Sequence, residues 1–582
     1  MRTPEERYFQ VSDGATLFYR YWPALKGSAP QAIILLHRGH EHSGRFQDAV
    51  DELNLPDFPM FAWDARGHGR SPLPKGSSPD FGVFVKDVDT FAAHVSKTYG
   101  MPIENIAMIG QSIGSVLAAA WAHDYAPKIL CMVLAAPAFK VKLYVPFART
   151  GLGLLRKIIG DFHVKSYVKA TALTHDPERI ASFNSDPLIT RPISVRVLLG
   201  LYGTSERVVA DAPAIHVPTQ VLMSGSDWVV HLKPQHQFFE RLGSAIKEKH
   251  VFDGFYHDTL GEKDRHLPIG KAREFILKMF ARTPAATCLL DADRAAYTKA
   301  EFDRLSRPLP IASIKRMSFA LTRLGMKTGG RLSDGIRLGL ETGFDSGSTL
   351  DYVYRGRASG VTPIGKLIDW LYLNSVGWRG IRLRKENLER LLIKSIEMIE
   401  RAGSAVRILD IAAGHGRYVL EALEHSPAKA EVLLRDYSRD NVERGSALIR
   451  QKNMDRIARF EKGDAFDRKS IEAIRPRATL GVVSGLYELF PENAPVRESL
   501  AGLAGAIEPG GYLVYTGQPF HPQLEMIART LSSHREHRPW IMRRRTQAEM
   551  DQLVEAAGFR KLDQEIDDGG IFSVSLAQRL DA

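Results

Sequence analysis

From Ala32 to about His257, short apolar runs alternate with longer stretches of helical periodicity. The runs are "AIILLH", "MFAWDARGHG", "IAMIGQS", "ILCMVLAAPA", "TQVLMSGSD" and "KEKHVFDGFYH". Brief apolar and β-branched runs bounded by glycine predict strands of a mostly parallel sheet, with the intervening helices on both faces. A helix near Gly270–Phe280 closes this block, and "ARTPAAT" then punctuates the chain. A second series starts after a helix near Lys385–Arg401. Its strand-like runs are "VRILDIA", "AEVLLRDY", "ARFEKGDAF", "ATLGVVSGLYELF" and "GYLVYTGQ", with "IEPGG" read as a turn between the last two. This predicts a second doubly wound sheet. The motif order differs between the blocks, so no tandem repeat is present.

The fold class expected is therefore α/β with two doubly wound domains, one over residues 1–282 and one over 346–582, the latter with a helical lead-in. Between them, residues 283–345 show no strand pattern and read as a basic helical linker. Ile311, Ile314, Met317, Leu321 and Leu324 recur there at helical spacing among Arg304, Arg307, Lys315, Arg316, Arg323, Lys327 and Arg331. Two readings stand. A basic amphipathic helix lies on an anionic membrane surface, or its apolar stripe packs against a neighbouring domain.

Composition narrows the class. With 44% hydrophobic and 25% charged residues among 582, the chain is ordinary globular protein of roughly two to four domains. Two cysteines make neither a disulfide framework nor a zinc site, which fits a reducing cytoplasm. "MRTPEERYFQVSDG" has no apolar core segment, so no signal peptide is expected. No apolar run approaches the roughly 20 residues of a membrane span. A net charge of +11 favours anionic partners; no nucleic-acid module is visible, so a cytoplasmic enzyme with peripheral contact to the inner membrane face is the expectation.

The first candidate site is "IGQSIG", a G-x-S-x-G spacing at a strand-to-helix junction. A sharp turn there lifts the Ser112 hydroxyl above the sheet, and small neighbours let it pack. Asp227 in "SGSDWVV" lies in a turn where a carboxylate can orient an imidazole, and His257 in "GFYHDTL" can exchange the serine proton. With "RGHEHSGRF", "FAWDARGHGRS" and the "SDPLITRP" stretch, residues 8–282 resemble the monoacylglycerol lipase and lysophospholipase branch of the αβ-hydrolases. The resemblance implies Ser112 as nucleophile, Asp227 as acid, His257 as base, and the N–H groups of Gly39 and Ile113 as oxyanion donors. It also implies a lid at about 139–215, whose apolar segments and lysines suit either an acyl chain at an anionic interface or helices with solvated charges. The family's His-Gly reads His37-Arg38 here, placing an arginine where it would narrow the oxyanion hole or meet an anionic head group.

The second candidate site is "ILDIAAGHGRY". Asp410 ends a strand, and Gly414 and Gly416 lead into a helix, as close backbone approach to a ligand requires. Asp436 and Tyr437 end the next strand, Asp464, Ala465 and Phe466 follow the third, and Ser484 follows the fourth. Each acid singly is an ordinary loop carboxylate, but together at successive strand ends they describe one crevice. With "AIEPGGYLVYTG" and "RRRTQAEMDQLVEAAGFRKL", residues 386–582 resemble class I S-adenosylmethionine-dependent methyltransferases, and the lead-in resembles a bacterial methyltransferase family found fused behind αβ-hydrolases. The resemblance implies S-adenosylmethionine held by Asp410, Ala412 (a glycine in the family), Gly414, Gly416, Asp436, Tyr437, Asp464, Ala465, Phe466 and Ser484. Tyr487, Glu488 and His521 are acceptor-side candidates; no metal is expected. The resulting expectation is a bifunctional esterase and methyltransferase acting on lipid or other small substrates. The competing readings are a non-catalytic C-terminal module and a peripheral membrane-binding protein.

Overall fold

Parallel strands buried on both faces read as uninterrupted apolar runs, and the first sheet is built from such runs. In the computed structural model, which describes residues 1–581 apart from 28, 167, 283, 284 and 427, every residue of Ala32–Leu36, Ile106–Gln111 and Cys131–Ala135 is buried. The chain divides into two compact units, Met1–Thr287 and Cys288–Ala582.

In the first unit the strands are β1 (Glu5–Gln10), β2 (Thr16–Trp22), β3 (Ala32–Leu36), β4 (Met60–Trp63), β5 (Ile106–Gln111), β6 (Cys131–Ala135), β7 (His163–Lys165), β8 (Pro192–Ser194), β9 (Thr219–Ser224) and β10 (Lys247–Phe252). Eight of them form one sheet in the order β1-β2-β4-β3-β5-β6-β9-β10. The first two join by antiparallel pairings and the rest are parallel. β7 and β8 make a small antiparallel pair within the long insertion between β6 and β9. That insertion also carries the helices Ala148–Ile159, Pro177–Ser185 and Val195–Ala210. The helix Ala148–Ile159 buries no residue.

The second unit contains β11 (Val406–Asp410), β12 (Ala430–Asp436), β13 (Ala458–Lys462), β14 (Ala478–Val483), β15 (Ile507–Gly517), β16 (Phe559–Ile566) and β17 (Ser573–Arg579). Their order is β13-β12-β11-β14-β15-β17-β16, with β17 antiparallel to both neighbours. "IEPGG", expected as a turn, is absorbed into β15 as an irregularity: the pairing jumps from Ile507 to Tyr512, and Gly510 has φ +76°.

The basic stretch is not a separate linker. From Cys288 its described residues fold into the second unit, because Leu305 and Phe344 share a core with Trp378, Leu524 and Ile527; residues 283 and 284 lie outside the described residues. The stripe Ile311–Leu324, by contrast, is exposed along its length. Among the described residues no helix is long and apolar enough to cross a membrane.

Candidate active sites

Ser112 lies between β5 and the helix Ile113–Asp124 with φ +55° and ψ −111°, a conformation that costs a non-glycine residue on the order of 1–3 kcal/mol. Neighbouring glycines permit it by letting the helix press on the sheet. A Cβ on Gly114 would strike the Leu36 carbonyl, and one on Gly110 would meet the Gly114 carbonyl oxygen at 2.6 Å. The turn is clamped by the Ser112 N–H, which donates to the Ala135 carbonyl at 2.9 Å.

Two loops from farther along the chain complete the arrangement. Ser112 Oγ lies 2.8 Å from His257 Nε2, and His257 Nδ1 lies 2.7 Å from Asp227 Oδ2. All three side chains are buried. Burial alone would raise the Asp227 carboxyl. The His257 ring, together with the N–H groups of Val230 and Val229 at 2.9 and 2.7 Å, holds it below the ordinary carboxylate range. Asp227 thus stays an acceptor that fixes the imidazole tautomer.

Gly39 backs onto this turn: a Cβ there would approach Ile113 Cδ1 to 2.7 Å. Ile113 opens a helix, whose first N–H groups lack intrahelical partners. Arg38 takes neither role expected of it. Its side chain is buried, donates to Glu41 Oε1 at 2.7 Å and lies over the Phe183 ring. The physical reason is a buried acid pair: Asp258 sits 4.0 Å from Arg38 Nε and accepts from Arg179 Nε at 3.0 Å and from Gln111 Nε2 at 2.6 Å. Despite burial, which acts to raise it, Asp258 is held well below the usual range by Arg179 and Arg38. Sequence reasoning missed this cluster, although Asp258 and Gln111 each adjoin a triad residue. Beside the acid and base loops, a cleft of about 290 Å³ is lined by Tyr144, Val168, Trp228, Val229 and Tyr256 among others.

In the second unit, Asp410 and Asp436 end β11 and β12, while Asp464 and Ser484 fall just past β13 and β14. These four strands are adjacent and parallel, so all four residues border one end of the sheet. The glycine turn follows from packing: Gly416 has φ +73°, and a Cβ there would run into Leu434. The Gly414 N–H donates to Asp436 Oδ2 at 2.9 Å, and Asp436 Oδ1 accepts from Ser438 N at 2.8 Å. The Tyr418 hydroxyl donates to Asp410 Oδ2 at 2.6 Å and the Ala412 N–H to its Oδ1 at 3.2 Å. Asp410 is fully buried; desolvation dominates and pushes its carboxyl up to about 7.

A small cavity of about 40 Å³ adjoins Ala412, Gly414 and Ser484, with Gly347, Tyr354 and Arg384 on its other side. Two buried polar atoms around it, Ser484 Oγ and Arg384 Nε, have no hydrogen-bond partner among the described residues, a demand that a polar ligand would meet. Arg384 comes from the long helix Val376–Arg401 and was not singled out from sequence, since only the fold turns that face inward.

The outer candidates diverge. Tyr437 is 74% exposed, and Asp464 is exposed, its carboxylate accepting from the Phe466 N–H at 2.9 Å. Ala465 is buried in the core, and Phe466 packs edge-on to Phe490. Tyr487 is buried with its hydroxyl 3.0 Å from Ser499 Oγ, outside the residues lining the cavity. Glu488 pairs with Arg384 at 3.6 Å. His521 is buried, lowered by desolvation to about 4, and its Nδ1 accepts from the Gln523 N–H.

The strand order of the first unit, with a serine elbow followed along the chain by the aspartate and then the histidine that it faces, is that of an αβ-hydrolase. The second sheet is Rossmann-like, with a reversed strand inserted near one edge. The chain belongs to the family described as "Putative methyltransferase", whose family model matches residues 272–579, and residues 27–264 match the "Serine aminopeptidase, S33" hydrolase family. It is 53% identical over 581 residues to "Uncharacterized protein YnbC" of Escherichia coli (strain K12), covering 100% of this chain and 99% of that one. Its hydrolase half is 29% identical over 270 residues to the monoglyceride lipase of Homo sapiens, covering 44% of this chain and 86% of that protein. Among solved structures, the Paleococcus ferrophilus monoacylglycerol lipase is 21% identical with a TM-score of 0.41, covering 48% of this chain and 99% of that one.

Proposed function

We propose that the chain is a bifunctional enzyme, a serine carboxylic-ester hydrolase joined to an S-adenosylmethionine-dependent methyltransferase. One observation carries the hydrolase reading: the continuous Ser112–His257–Asp227 contact at hydrogen-bond distance. Ser112 Oγ–H donates to His257 Nε2, and His257 Nδ1–H donates to Asp227. As Ser112 attacks an ester carbonyl, His257 takes its proton and returns it to the departing alcohol, leaving an acyl-serine. The developing oxyanion is met by the N–H groups of Ile113 and Gly39. Water, deprotonated by His257, then releases the acid. The cleft beside Trp228 and Tyr256, together with the monoglyceride lipase relatives, favours a monoacylglycerol- or lysophospholipid-like substrate.

The second crevice fits S-adenosylmethionine. Bound there, it would have Asp436 for its ribose hydroxyls, Asp464 and Phe466 for its adenine, and the Ala412–Gly416 turn with Ser484 and Arg384 for its methionine end. The group, when bound, supplies an electrophilic methyl on a sulfonium, and the chain's task is alignment of an acceptor with it. A binding module without transfer is the second reading, favoured because the Tyr487 hydroxyl is engaged by Ser499 and Glu488 by Arg384.

The test is twofold. Purified protein should hydrolyse monoacylglycerols and lose that activity in Ser112→Ala. Calorimetric titration should show S-adenosylmethionine binding, and labelled cofactor with lipid extract separates transfer from binding alone.

A further inference from the structure

One surface of the second unit serves neither site. The helix Ile314–Lys327 has no buried residue. Ile311, Ile314, Met317, Leu321 and Leu324 recur three or four residues apart, hence along one helical stripe, and are 58% to 85% exposed. The helix Pro363–Leu373 repeats the pattern, with Val361, Ile364, Leu367, Trp370 and Leu371 at 54% to 66% exposure. Both helices pack against the turn Gly329–Leu332. Single exposed apolar residues are ordinary, but eight on two helices that share one packing turn, with Ile311 and Val361 just ahead of them, mark an interaction surface.

The charge says what kind. Seven arginines and lysines and no acidic residue fall between Arg304 and Arg331. Lys315 is paired with Glu525 at 3.1 Å; Arg316, Arg323 and Lys327 flank the stripe. A second copy docked face to face would oppose these cations with their own kind. A nucleic acid would leave the apolar stripes in water.

We infer that this face of the second unit docks on an anionic phospholipid surface, with the two stripes at the headgroup–acyl boundary and the basic side chains against the headgroups. Both halves of the surface are then used, as in interfacial amphipathic helices. Each basic side chain near such a surface strengthens adsorption roughly fivefold.

Co-sedimentation of the full chain with phosphatidylglycerol vesicles, set against phosphatidylcholine vesicles, tests this. Binding should favour the anionic vesicles and weaken with salt. Leu321→Glu/Leu324→Glu, Ile364→Glu/Leu367→Glu and Arg316→Glu/Arg323→Glu should each weaken it at least tenfold, and all change exposed side chains, so thermal melting should stay as in the parent. Ile158→Glu/Ile159→Glu on the first unit's exposed helix is the reference. Equal vesicle binding by parent and the second-unit variants overturns the inference, as does loss confined to the reference variant. A parent dimer that Leu321→Glu/Leu324→Glu converts to monomer would also overturn it, assigning the face to a second copy.

Discussion

Asp258, the residue after His257, accepts a hydrogen bond at 2.6 Å from Gln111, the residue before Ser112. The base loop and the nucleophile turn are thus tied together one residue away from the reacting atoms. Arg179, from the helix Pro177–Ser185 in the long insertion, binds the other oxygen of the same carboxylate. Arg38, beside Gly39, lies 4.0 Å from it.

This carboxylate is expected to hold the site's geometry without touching substrate. Removing it leaves the buried Arg179 only the Arg45 carbonyl and the partly exposed Asp48, so Asp258→Ala should destabilise the first unit by about 2–4 kcal/mol. Denaturant unfolding of Asp258→Ala, Arg179→Ala and the double variant checks this. The double variant should cost clearly less than the sum of the singles; additive costs would show that the two do not act on each other.

For the triad, Ser112→Ala should lower kcat/KM on a short-chain ester by at least about 10⁴-fold, and Asp227→Asn by about 10⁴-fold through the wrong imidazole tautomer. Steady-state hydrolysis reads both. A residual rate within tenfold of the parent in Ser112→Ala would place the nucleophile elsewhere, and the same result in Asp227→Asn would remove Asp227 as the residue that orients His257.

Gly414 separates the sites. A Cβ there would meet only Gly347 Cα, at 3.8 Å, with φ +58°, so Gly414→Ala costs about 1–2 kcal/mol of backbone strain while filling space at the crevice. S-adenosylmethionine binding measured by calorimetry should fall at least tenfold, with ester hydrolysis unchanged within twofold. Parallel loss of both activities in a cooperatively folded protein would contradict independent sites.

Asp410 gives a pH dependence. Its carboxyl is raised from an ordinary value of 3.8 to about 7 in the folded chain, so the folded state holds its proton more tightly than the unfolded one. The stabilisation is fully present below about pH 4 and is lost as pH rises to about 7. Asp410→Asn, which cannot ionise, should show a flatter decline in melting temperature between pH 4 and 7. Identical slopes in parent and variant would exclude Asp410 as the source.

Much of this architecture could be read from the chain because it rests on local patterns. Short uninterrupted runs such as "AIILL" and "CMVLA" read as strands buried on both faces, and G-x-S-x-G is demanded by close strand–helix contact at Gly110 and Gly114. Asp227 and His257 were legible from chain order. Arg38 was misjudged because the burial that turns it toward Glu41 depends on Asp258 and Phe183, 220 and 145 residues away, which only the fold brings beside it. Arg384 was missed for the same reason: within a 26-residue amphipathic helix, a buried arginine looks like any polar-face residue. The "IEPGG" segment looked like a turn because its glycines suit one, yet the ladder resumes beyond it.

The Arg179–Asp258 contact also bears on how such enzymes diversify. The insertion above this sheet is rooted in the site beneath it rather than laid over it as a removable cover. Here a grafted cover lacking an arginine at this position would leave a buried anion beside the catalytic imidazole. Successful transplants should therefore be those that carry the cation along or neutralise residue 258 in the same step.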